Sequence, residues 1–404
     1  MRSHLCGVHA WALASLLASL ATPFSPAGPL DPPAAPASTS GTEPRLAVNQ
    51  ANTPGAGSFQ FVISAPGSYY LTENLVGESG MGGITITASD VTLDLNGFTV
   101  AGVPGASHGI YAFFFEVHGV TVRNGTVTGW GSEGVDLTSA LSSRVENVTS
   151  RANGFRGFQL GDGALALNCI SEQNSAEGFF FAQGARVIDC VSRLNDGIGF
   201  FIGAGSAVSG CVAQLNGGRG FVVRNGSTVT ECVADHNGGI GVEAAAVCTV
   251  SRCSARGNSG IGISVDFSST VAECAVTANG GGISADYDCV IRDCVSSGNS
   301  LFGIQVTSDC QILNNLCRGN STPPFNLAAG ISISGFGSRV EGNTLIVNDR
   351  GIRATAADNL IIRNTARLNS EGDYETAPGN DVGEIISTPG TGFVATNPWA
   401  NFVH

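Results

Sequence analysis

Residues 216–265 read NGGRGFVVRNGSTVTECVADHNGGIGVEAAAVCTVSRCSARGNSGIGISV. This stretch contains one pattern three times: an Asn, a Gly four positions later, and a short run with alternating apolar residues. Gly220, Gly241 and Gly262 are 21 residues apart. A Gly followed by an apolar residue recurs at this or a similar step along the chain, at Gly83, Gly109, Gly134, Gly157, Gly178, Gly199, Gly220, Gly241, Gly262, Gly282, Gly303, Gly330 and Gly351. Such a period is typical of a solenoid in which each repeat forms one turn.

The composition argues against nucleic-acid binding. The 404 residues carry a formal net charge of −13, and only 13% of them are charged. All 19 basic residues are Arg, and the repeats contain no basic stripe. Because nucleic-acid binding depends on neutralising phosphates with Lys and Arg, this class of partner is excluded.

The amino terminus resembles an export signal. Arg2 precedes a mostly apolar stretch from Ala10 to Leu20, followed by a small-residue cleavage site. This stretch is shorter than the ~20 residues that a membrane-spanning helix needs. We therefore expect a signal peptide at residues 1–21, a Pro/Ala/Ser-rich linker at 22–45, and a secreted or periplasmic protein without a membrane span.

The alternation after each Gly predicts an all-β chain. First and third residues after the Gly are expected to point inward and the second outward, as in a short strand. With two or three such strands per turn and no helical period, the pattern predicts a single-domain parallel β-helix of about 13 coils over residues 46–370. Residues 46–80 and 371–404 are expected to cap its ends, and 322–329 to form an edge loop. Each repeat Gly is expected to permit a turn that a Cβ would strain.

Two further columns support this register. One contains Asn153, Asn174, Asn195, Asn216, Asn237, Asn258, Asn279, Asn299, Asn320, Asn348 and Asn369; the other contains Cys169, Cys190, Cys211, Cys232, Cys253, Cys274 and Cys294, followed by Asn315, Asn343 and Asn364. Stacked turns would convert them into an asparagine ladder and a cysteine ladder. We expect the cysteines to be mostly reduced and buried, although Cys289 and Cys310 could form a disulfide.

Several segments carry a specific resemblance: PGSYYLTENLVG (66–77), VTLDLNGFTVAG (91–102), VTVRNGTVTGWG (120–131) and NPWANF (397–402). In these, and in the NGGxGF-like repeats, the chain resembles secreted bacterial right-handed parallel β-helix repeat proteins of the pectin-lyase-like superfamily. The resemblance covers about residues 55–404. It implies right-handed coiling and a link to polysaccharide lyases, glycoside hydrolases and carbohydrate-binding modules.

The outward positions contain the candidate ligand-binding residues. Phe180 and Phe201 form an apolar patch that could stack on sugars, and Glu243 follows on the same column. Asp266 and Asp286, with Arg224 nearby, are the candidate catalytic residues. Neighbouring carboxylates raise one pKa or recruit a cation, and Arg suits a uronate carboxylate. Asp286, Asp288 and Asp309 are candidate Ca²⁺ ligands; a plain solvated acidic surface is the alternative.

Two classes of function remain open at this point. The first is a non-catalytic extracellular module that binds a polysaccharide or cell-envelope glycan, or a surface structural protein. The second is a polysaccharide-degrading enzyme, and the acidic face favours a glycoside hydrolase over a lyase. The sequence shows no dense polar cluster, and His108, His118 and His236 are interpreted as isolated. This favours the first class, with a monomer, no assigned cofactor, and Ca²⁺ as the only candidate.

Overall fold

The computed structural model describes residues 45–112, 117–321, 328–387 and 397–403. All regular secondary structure in these ranges is β-strand, and no helix there is long and apolar enough to cross a membrane. The predicted signal peptide, positions 22–44 of the predicted linker and positions 322–327 of the predicted edge loop lie outside the described residues.

The strands wind into a coil with three faces. Face 1 is a 15-stranded parallel sheet. Its strands are Phe59–Ile63, Gly82–Ile86, Ile110–Tyr111, Val135–Leu137, Phe158–Leu160, Phe179–Phe181, Phe200–Ile202, Phe221–Val223, Val242–Ala244, Ile261–Val265, Gly281–Ala285, Phe302–Val306, Ala329–Ile333, Arg350–Ala354 and Gly372–Thr376. Face 1 supplies one strand to each successive turn.

Faces 2 and 3 are two stacks within a single 30-stranded sheet. Face 2 comprises Leu46–Ala47, Gly67–Tyr70, Val91–Asp94, Thr121–Thr128, Arg144–Arg151, Leu165–Leu167, Arg186–Ile188, Ala207–Ser209, Thr228–Thr230, Thr249–Ser251, Thr270–Ala272, Val290–Arg292, Gln311–Leu313, Arg339–Glu341, Leu360–Ile362 and Asp381–Val382. Face 3 comprises Leu75–Val76, Thr99–Ala101, Ile170–Glu172, Val191–Arg193, Val212–Gln214, Val233–Asp235, Ser254–Arg256, Ala275–Thr277, Val295–Ser297, Leu316–Arg318, Thr344–Ile346, Thr365–Arg367, Ile385–Ser387 and Asn401–Val403. The strands Thr121–Thr128 and Arg144–Arg151 belong to both stacks and join them. A separate two-stranded sheet pairs Val117–His118 with Ala140–Leu141.

The predicted all-β parallel solenoid is confirmed, with more turns than the 13 expected. Face 1 alone contains 15 strands. The additional turns arise because Phe59–Ile63 and Gly372–Thr376 pair in register with face 1 at its two ends. Phe59–Ile63 precedes the region in which the Gly-apolar pattern is readable, and Gly372–Thr376 follows it.

The core consists of inward columns that stack from turn to turn. On face 1, the rings of Phe158, Phe179, Phe200 and Phe221 are parallel, with centroids 4.7–4.8 Å apart. All four are fully buried. Offset stacking of this kind adds to the hydrophobic stabilisation from burial. The predicted inward column on face 1 is therefore confirmed.

The asparagine ladder is present and continuous. The side-chain oxygen of Asn237 accepts hydrogen bonds from the backbone N–H and the Nδ2 of Asn216, at 3.2 and 3.0 Å. Its own Nδ2 donates to Asn258 Oδ1 and to the backbone oxygen of Ala213, both at 3.0 Å. A buried amide with all its groups paired avoids the cost of desolvation. This ladder fixes the register of consecutive turns.

The eleven cysteines in the described residues are all buried and free. In the cysteine ladder, thiols donate to nearby backbone oxygens, as Cys211 does to Ser209 at 3.3 Å. Below Cys294 the column continues with hydrogen-bonded asparagines, beginning with Asn315 and Asn343. Small buried thiols and amides therefore occupy equivalent positions, as the sequence predicts.

The repeat glycines have a different role from the one expected. Gly220 does not have the positive φ of a left-handed turn. A Cβ on Gly220 would instead lie 2.5 Å from the backbone oxygen of Gly241 in the next turn. The requirement for Gly thus comes from close approach of two backbones, and the expectation of a strained turn is wrong for this residue.

Candidate functional site

The outward column of face 1 has the predicted register. Gln159, Phe180, Phe201, Val222 and Glu243 pair in this order from turn to turn. The rings of Phe180 and Phe201, here called the aromatic ladder, are parallel with centroids 4.8 Å apart. Both side chains are half-buried. They form an apolar surface at the centre of an otherwise polar face.

Two arginines accompany the aromatic ladder. The guanidinium of Arg156 lies 4.5 Å from the ring centroid of Phe180, and that of Arg224 lies 5.1 Å from the ring centroid of Phe201. Arg156 also forms an ion pair with Glu177, with an Nε–Oε2 distance of 2.8 Å. Arg224 is exposed. The structure therefore places the predicted residue Arg224 against the predicted aromatic residue Phe201.

The acidic residues of the outward column begin at Glu243, one turn after Val222. Glu243 forms an ion pair with Arg219, with an Oε2–Nε distance of 2.8 Å. Because the sequence places Arg219 directly before the repeat glycine Gly220, the pair connects two adjacent turns. The carboxylate of Glu243 therefore has a partner within the protein.

Asp266 and Asp286 directly follow two paired strands of face 1, Ile261–Val265 and Gly281–Ala285. Both residues are exposed. Partial burial, and next the charge of Asp286, raise the pKa of Asp266, whereas Arg224 acts in the opposite direction. The charges of the other two predicted catalytic residues, Asp286 and Arg224, therefore both act on Asp266.

Asp288 and Asp309 lie in turns, both with a φ of 57°. Short Asp side chains tolerate this left-handed conformation better than most residues. Within the described ranges, Asp286, Asp288 and Asp309 do not form a group with three mutually close ligand atoms. The Ca²⁺ site at these residues stays a prediction.

The structure adds an aromatic pair beside these carboxylates that the sequence analysis missed. Phe267 and Tyr287 stack with ring centroids 5.3 Å apart. They are 40% and 46% exposed. Their positions directly after Asp266 and Asp286 could have revealed the pair, because these aspartates were already aligned by turn.

A second polar cluster occurs near the amino-terminal end of face 1. His108, Glu133 and Asp136, here called the carboxylate–histidine cluster, have ligand atoms within 4.8 Å of one another. The Nε2 of His108 lies 3.2 Å from Oε2 of Glu133. His108, which is isolated from the other histidines in the sequence, is therefore brought next to two carboxylates by the coil. His108 and Glu133 each directly precede a repeat glycine, so adjacent turns bring them together.

An aromatic stack continues from this cluster. The ring of Tyr111 lies 4.5 Å from the ring of His108 and 5.5 Å from that of Phe59, measured between centroids. Tyr111 pairs with Asp136 on the outward column of face 1. Extending the predicted outward column upstream of Gln159 by the same rule, two residues after each repeat glycine, would have found both residues.

The two carboxylates of the cluster have different environments. Burial acts to raise the pKa of Glu133, but hydrogen bonds with His108 and Ser132 outweigh it and lower that pKa. Burial also acts on Asp136, and its pKa stays raised despite two hydrogen bonds from Thr138 to Oδ1. Tyr111 has a raised pKa because of burial and then of these two carboxylates.

Asp94, in the VTLDLNG segment, has a structural role. Its carboxylate accepts hydrogen bonds from the backbone N–H of Asn96 at 2.9 Å and from Asn124 Nδ2 at 3.1 Å. It also pairs with Arg45 and Arg123. Through Arg123 and Asn124 this carboxylate connects its own turn to the next one, and through Arg45 to the amino-terminal end of the coil.

Comparisons with known proteins identify the fold. The A-module of mannuronan C-5 epimerase AlgE4 from Azotobacter vinelandii has a similar structure, with a TM-score of 0.51 and 16% identity, covering 73% of this chain and 90% of that one. The A-module of epimerase AlgE6 from the same organism gives a TM-score of 0.45 at 17% identity, covering 84% and 90%. Pectate lyase Pel9A gives 0.31 at 13% identity, covering 74% and 78%. None of the curated proteins matches the sequence.

At these identities, the structural likeness establishes the fold and not the activity. A family described as "right handed beta helix region" matches residues 168–289 and 196–370, which together span just over half of the chain. The parallel strands, the three faces and the stacked inward columns agree with that description. The chain therefore belongs to the right-handed β-helix family.

Proposed function

We propose that this is a secreted protein whose face 1 binds a polysaccharide. The observation that carries the proposal is the aromatic ladder, Phe180 and Phe201, with a guanidinium over each ring. The faces of each ring are covered by the neighbouring ring and by a guanidinium. The ligand would therefore meet the outward edges of the rings, an apolar strip that suits the CH groups of sugars. Arginine binds carboxylates through paired hydrogen bonds. The proposed ligand is therefore a glycan that contains acidic sugars.

The repetition of the coil favours a polymer over a small ligand. Each turn displaces the outward column by one strand spacing, about 4.8 Å. From Tyr111 to Val222 the column crosses six consecutive strands, which a chain molecule could follow. The likeness to the A-module of a mannuronan C-5 epimerase supports a polysaccharide as the class of ligand.

A panel of polysaccharides tests this function. We expect the protein to bind pectate or alginate more tightly than neutral xylan, with the affinity falling as salt is added, because charge attraction is screened. Replacing Arg224 by Ala is expected to weaken binding of the acidic polymer by about 10-fold, the equivalent of ~1.4 kcal/mol. Equal binding of acidic and neutral polymers would contradict the role of arginine, and no binding to any polymer would contradict the function.

A second candidate function is hydrolysis of the bound glycan at the acidic patch, formed by Glu243, Asp266 and Asp286. The observation that favours it is the raised pKa of Asp266 next to Asp286. A carboxyl with a raised pKa can serve as general acid. In this scheme Asp266 donates a proton to the leaving oxygen, Asp286 supplies the second carboxylate, and Arg224 positions the sugar.

Replacing Asp286 with Asn tests the second candidate. Removal of the second carboxylate is expected to lower the rate of reducing-end release by at least about 100-fold, the lower range for general acid–base catalysis. Glu231→Gln is a suitable control, because Glu231 is an exposed residue that pairs with Arg252 across the surface. If the native protein releases no reducing ends from any polymer that it binds, this candidate is wrong and binding alone remains.

The same assays test whether Ca²⁺ takes part in binding or hydrolysis. Asp286, Asp288 and Asp309 supply the hard oxygen ligands that Ca²⁺ prefers. Ca²⁺ bound there would bridge the acidic patch to a uronate carboxylate. Each assay is therefore to be run with Ca²⁺ and with chelator, and an identical affinity in both would remove the ion from the proposal.

A further inference from the structure

The carboxylate–histidine cluster contains more buried negative charge than the protein neutralises. Glu133 is 6% exposed and Asp136 7%. His108 is the ion-pair partner of Glu133, and no arginine in the described part of the chain pairs with either carboxylate. The sequence contains no Lys. A buried carboxylate without a cation is costly unless it is protonated or coordinates a metal, so a bound cation would stabilise Asp136 in its charged form.

The geometry of the donor atoms fits a metal ion. With bonds of about 2.0–2.2 Å, donor atoms around Zn²⁺ lie roughly 3–3.5 Å apart. His108 Nε2 and Glu133 Oε2 are 3.2 Å apart, and the atom contributed by Asp136 completes a group within 4.8 Å. Rotation about the terminal carboxylate torsion, which has broad minima, can bring the third oxygen into range.

Neighbouring side chains hold the two carboxylates. Thr138 donates from both its backbone N–H, at 2.9 Å, and its hydroxyl, at 2.6 Å, to Oδ1 of Asp136. Ser132 donates to Glu133. Outer hydrogen bonds of this kind orient metal ligands and are common around metal centres. The cluster thus has the supporting contacts of a built site.

The cluster is also accessible. A cavity of about 410 Å³ is lined by Ser58, Phe59, Gly80, Ser107, His108 and Tyr111. The side chain of His108 is 26% exposed. Of the three proposed ligands, His108 lines this cavity, so an ion at the cluster would be reached from the His108 side. Three protein ligands leave coordination positions for water or a substrate oxygen, unlike a closed four-ligand structural site.

We propose that His108, Glu133 and Asp136 bind one divalent transition-metal ion of the Zn²⁺ or Mn²⁺ type. One imidazole and two carboxylates suit these ions, because imidazole favours Zn²⁺ and carboxylate accepts Mn²⁺. Asp136 lies on the outward column of face 1, His108 and Glu133 lie just before the repeat glycines of adjacent turns, and the site is separate from the acidic patch. The proposal does not depend on glycan binding, because the metal alone is its ligand.

Titration of the untagged, chelator-treated full chain with Zn²⁺ tests the site. We expect one ion per chain, bound at least about 10-fold more weakly in His108→Ala and in Glu133→Gln, as for other losses at metal sites. His118→Ala is the matched control, since His118 is exposed and outside the cluster, and its affinity is expected to equal that of the native protein. Circular dichroism would verify the fold of each variant.

X-ray absorption of the Zn²⁺-loaded native protein provides a second measurement that needs no variant. A first shell of nitrogen and oxygen with a single imidazole is expected. Three results would overturn the proposal: no binding by the native chain, the same affinity in His108→Ala as in the native chain, or a sulfur-containing first shell. If His108→Ala bound Zn²⁺ with the native affinity, the ion would be bound adventitiously by surface carboxylates.

Discussion

Replacing Phe200 with Ala is expected to destabilise the coil by about 3–5 kcal/mol, the usual cost of Phe→Ala in a core. Phe200 is fully buried. It stacks between Phe179 and Phe221, with both centroid distances at 4.8 Å. Its removal leaves a cavity inside a column whose backbone spacing is fixed by strand pairing, so the turns cannot collapse onto it. The shift in the guanidinium unfolding midpoint measures the loss.

The neighbouring residue provides the matched control. Phe201 has the same side chain in the same strand but points outward and is half-buried. Phe201→Ala is expected to cost about 1 kcal/mol or less, the value of one exposed aromatic contact. If the two variants lost equal stability, the assignment of inward and outward columns on face 1 would be wrong.

Replacing Asn237 with Ala is expected to destabilise the coil by at least about 3 kcal/mol, because each buried polar group left without a partner costs roughly 1–3 kcal/mol. The variant would remove the side-chain acceptor of the backbone N–H of Asn216. It would also remove one hydrogen bond each from Nδ2 of Asn216, the carbonyl of Ala213 and Oδ1 of Asn258. No water is expected to reach these groups, since Asn237 is 1% exposed.

Asn225→Ala serves as the control for the ladder, because Asn225 is an exposed turn residue. It is expected to change stability by about 0.5 kcal/mol or less.

In a solenoid each turn contacts only its neighbours, so the destabilisation caused by Asn237→Ala should be local. Hydrogen exchange is therefore expected to accelerate most in the turns around residue 237, and uniform acceleration along the chain would contradict nearest-neighbour stacking.

Most of the architecture could be predicted from the sequence because every turn repeats the same backbone path. Once the repeat is aligned on its asparagines, alternation along a strand determines which side chains enter the core. This is why the inward Phe column, the asparagine ladder and the outward positions of Phe180 and Phe201 were all predicted correctly. The number of coils was underestimated because the two end strands lack the Gly-apolar signal.

The role of the repeat glycines could not be predicted. A left-handed turn and a close approach between two backbones both require the absence of a Cβ, and the sequence shows only that absence. Only coordinates reveal that the next turn lies against Gly220. The partner of Glu243 was missed for a related reason, since the reach of Arg219 depends on a side-chain conformation that the column alignment does not specify.

The carboxylate–histidine cluster was missed because the early turns are longer. His108 and Glu133 are 25 residues apart and Tyr111 and Asp136 likewise, instead of the 21 that align the middle of the chain. Counting from Gly109 and Gly134 recovers all four positions. The burial of Glu133 and Asp136 makes the cluster chemically distinctive. The sequence does not show this burial, because polar residues at such positions are expected to face solvent.

The most direct test of the central claim is a calorimetric titration of an acidic oligosaccharide into two proteins, the native protein and the Phe180→Ala/Phe201→Ala variant. The claim is that a polysaccharide binds on face 1 at the aromatic ladder. Both substitutions lie outside the fully buried core, and circular dichroism would verify that the variant is folded. Native binding that is weakened by at least about 10-fold in the folded variant is the expected result. An equal affinity in the two proteins would contradict it and place any glycan site elsewhere on the coil.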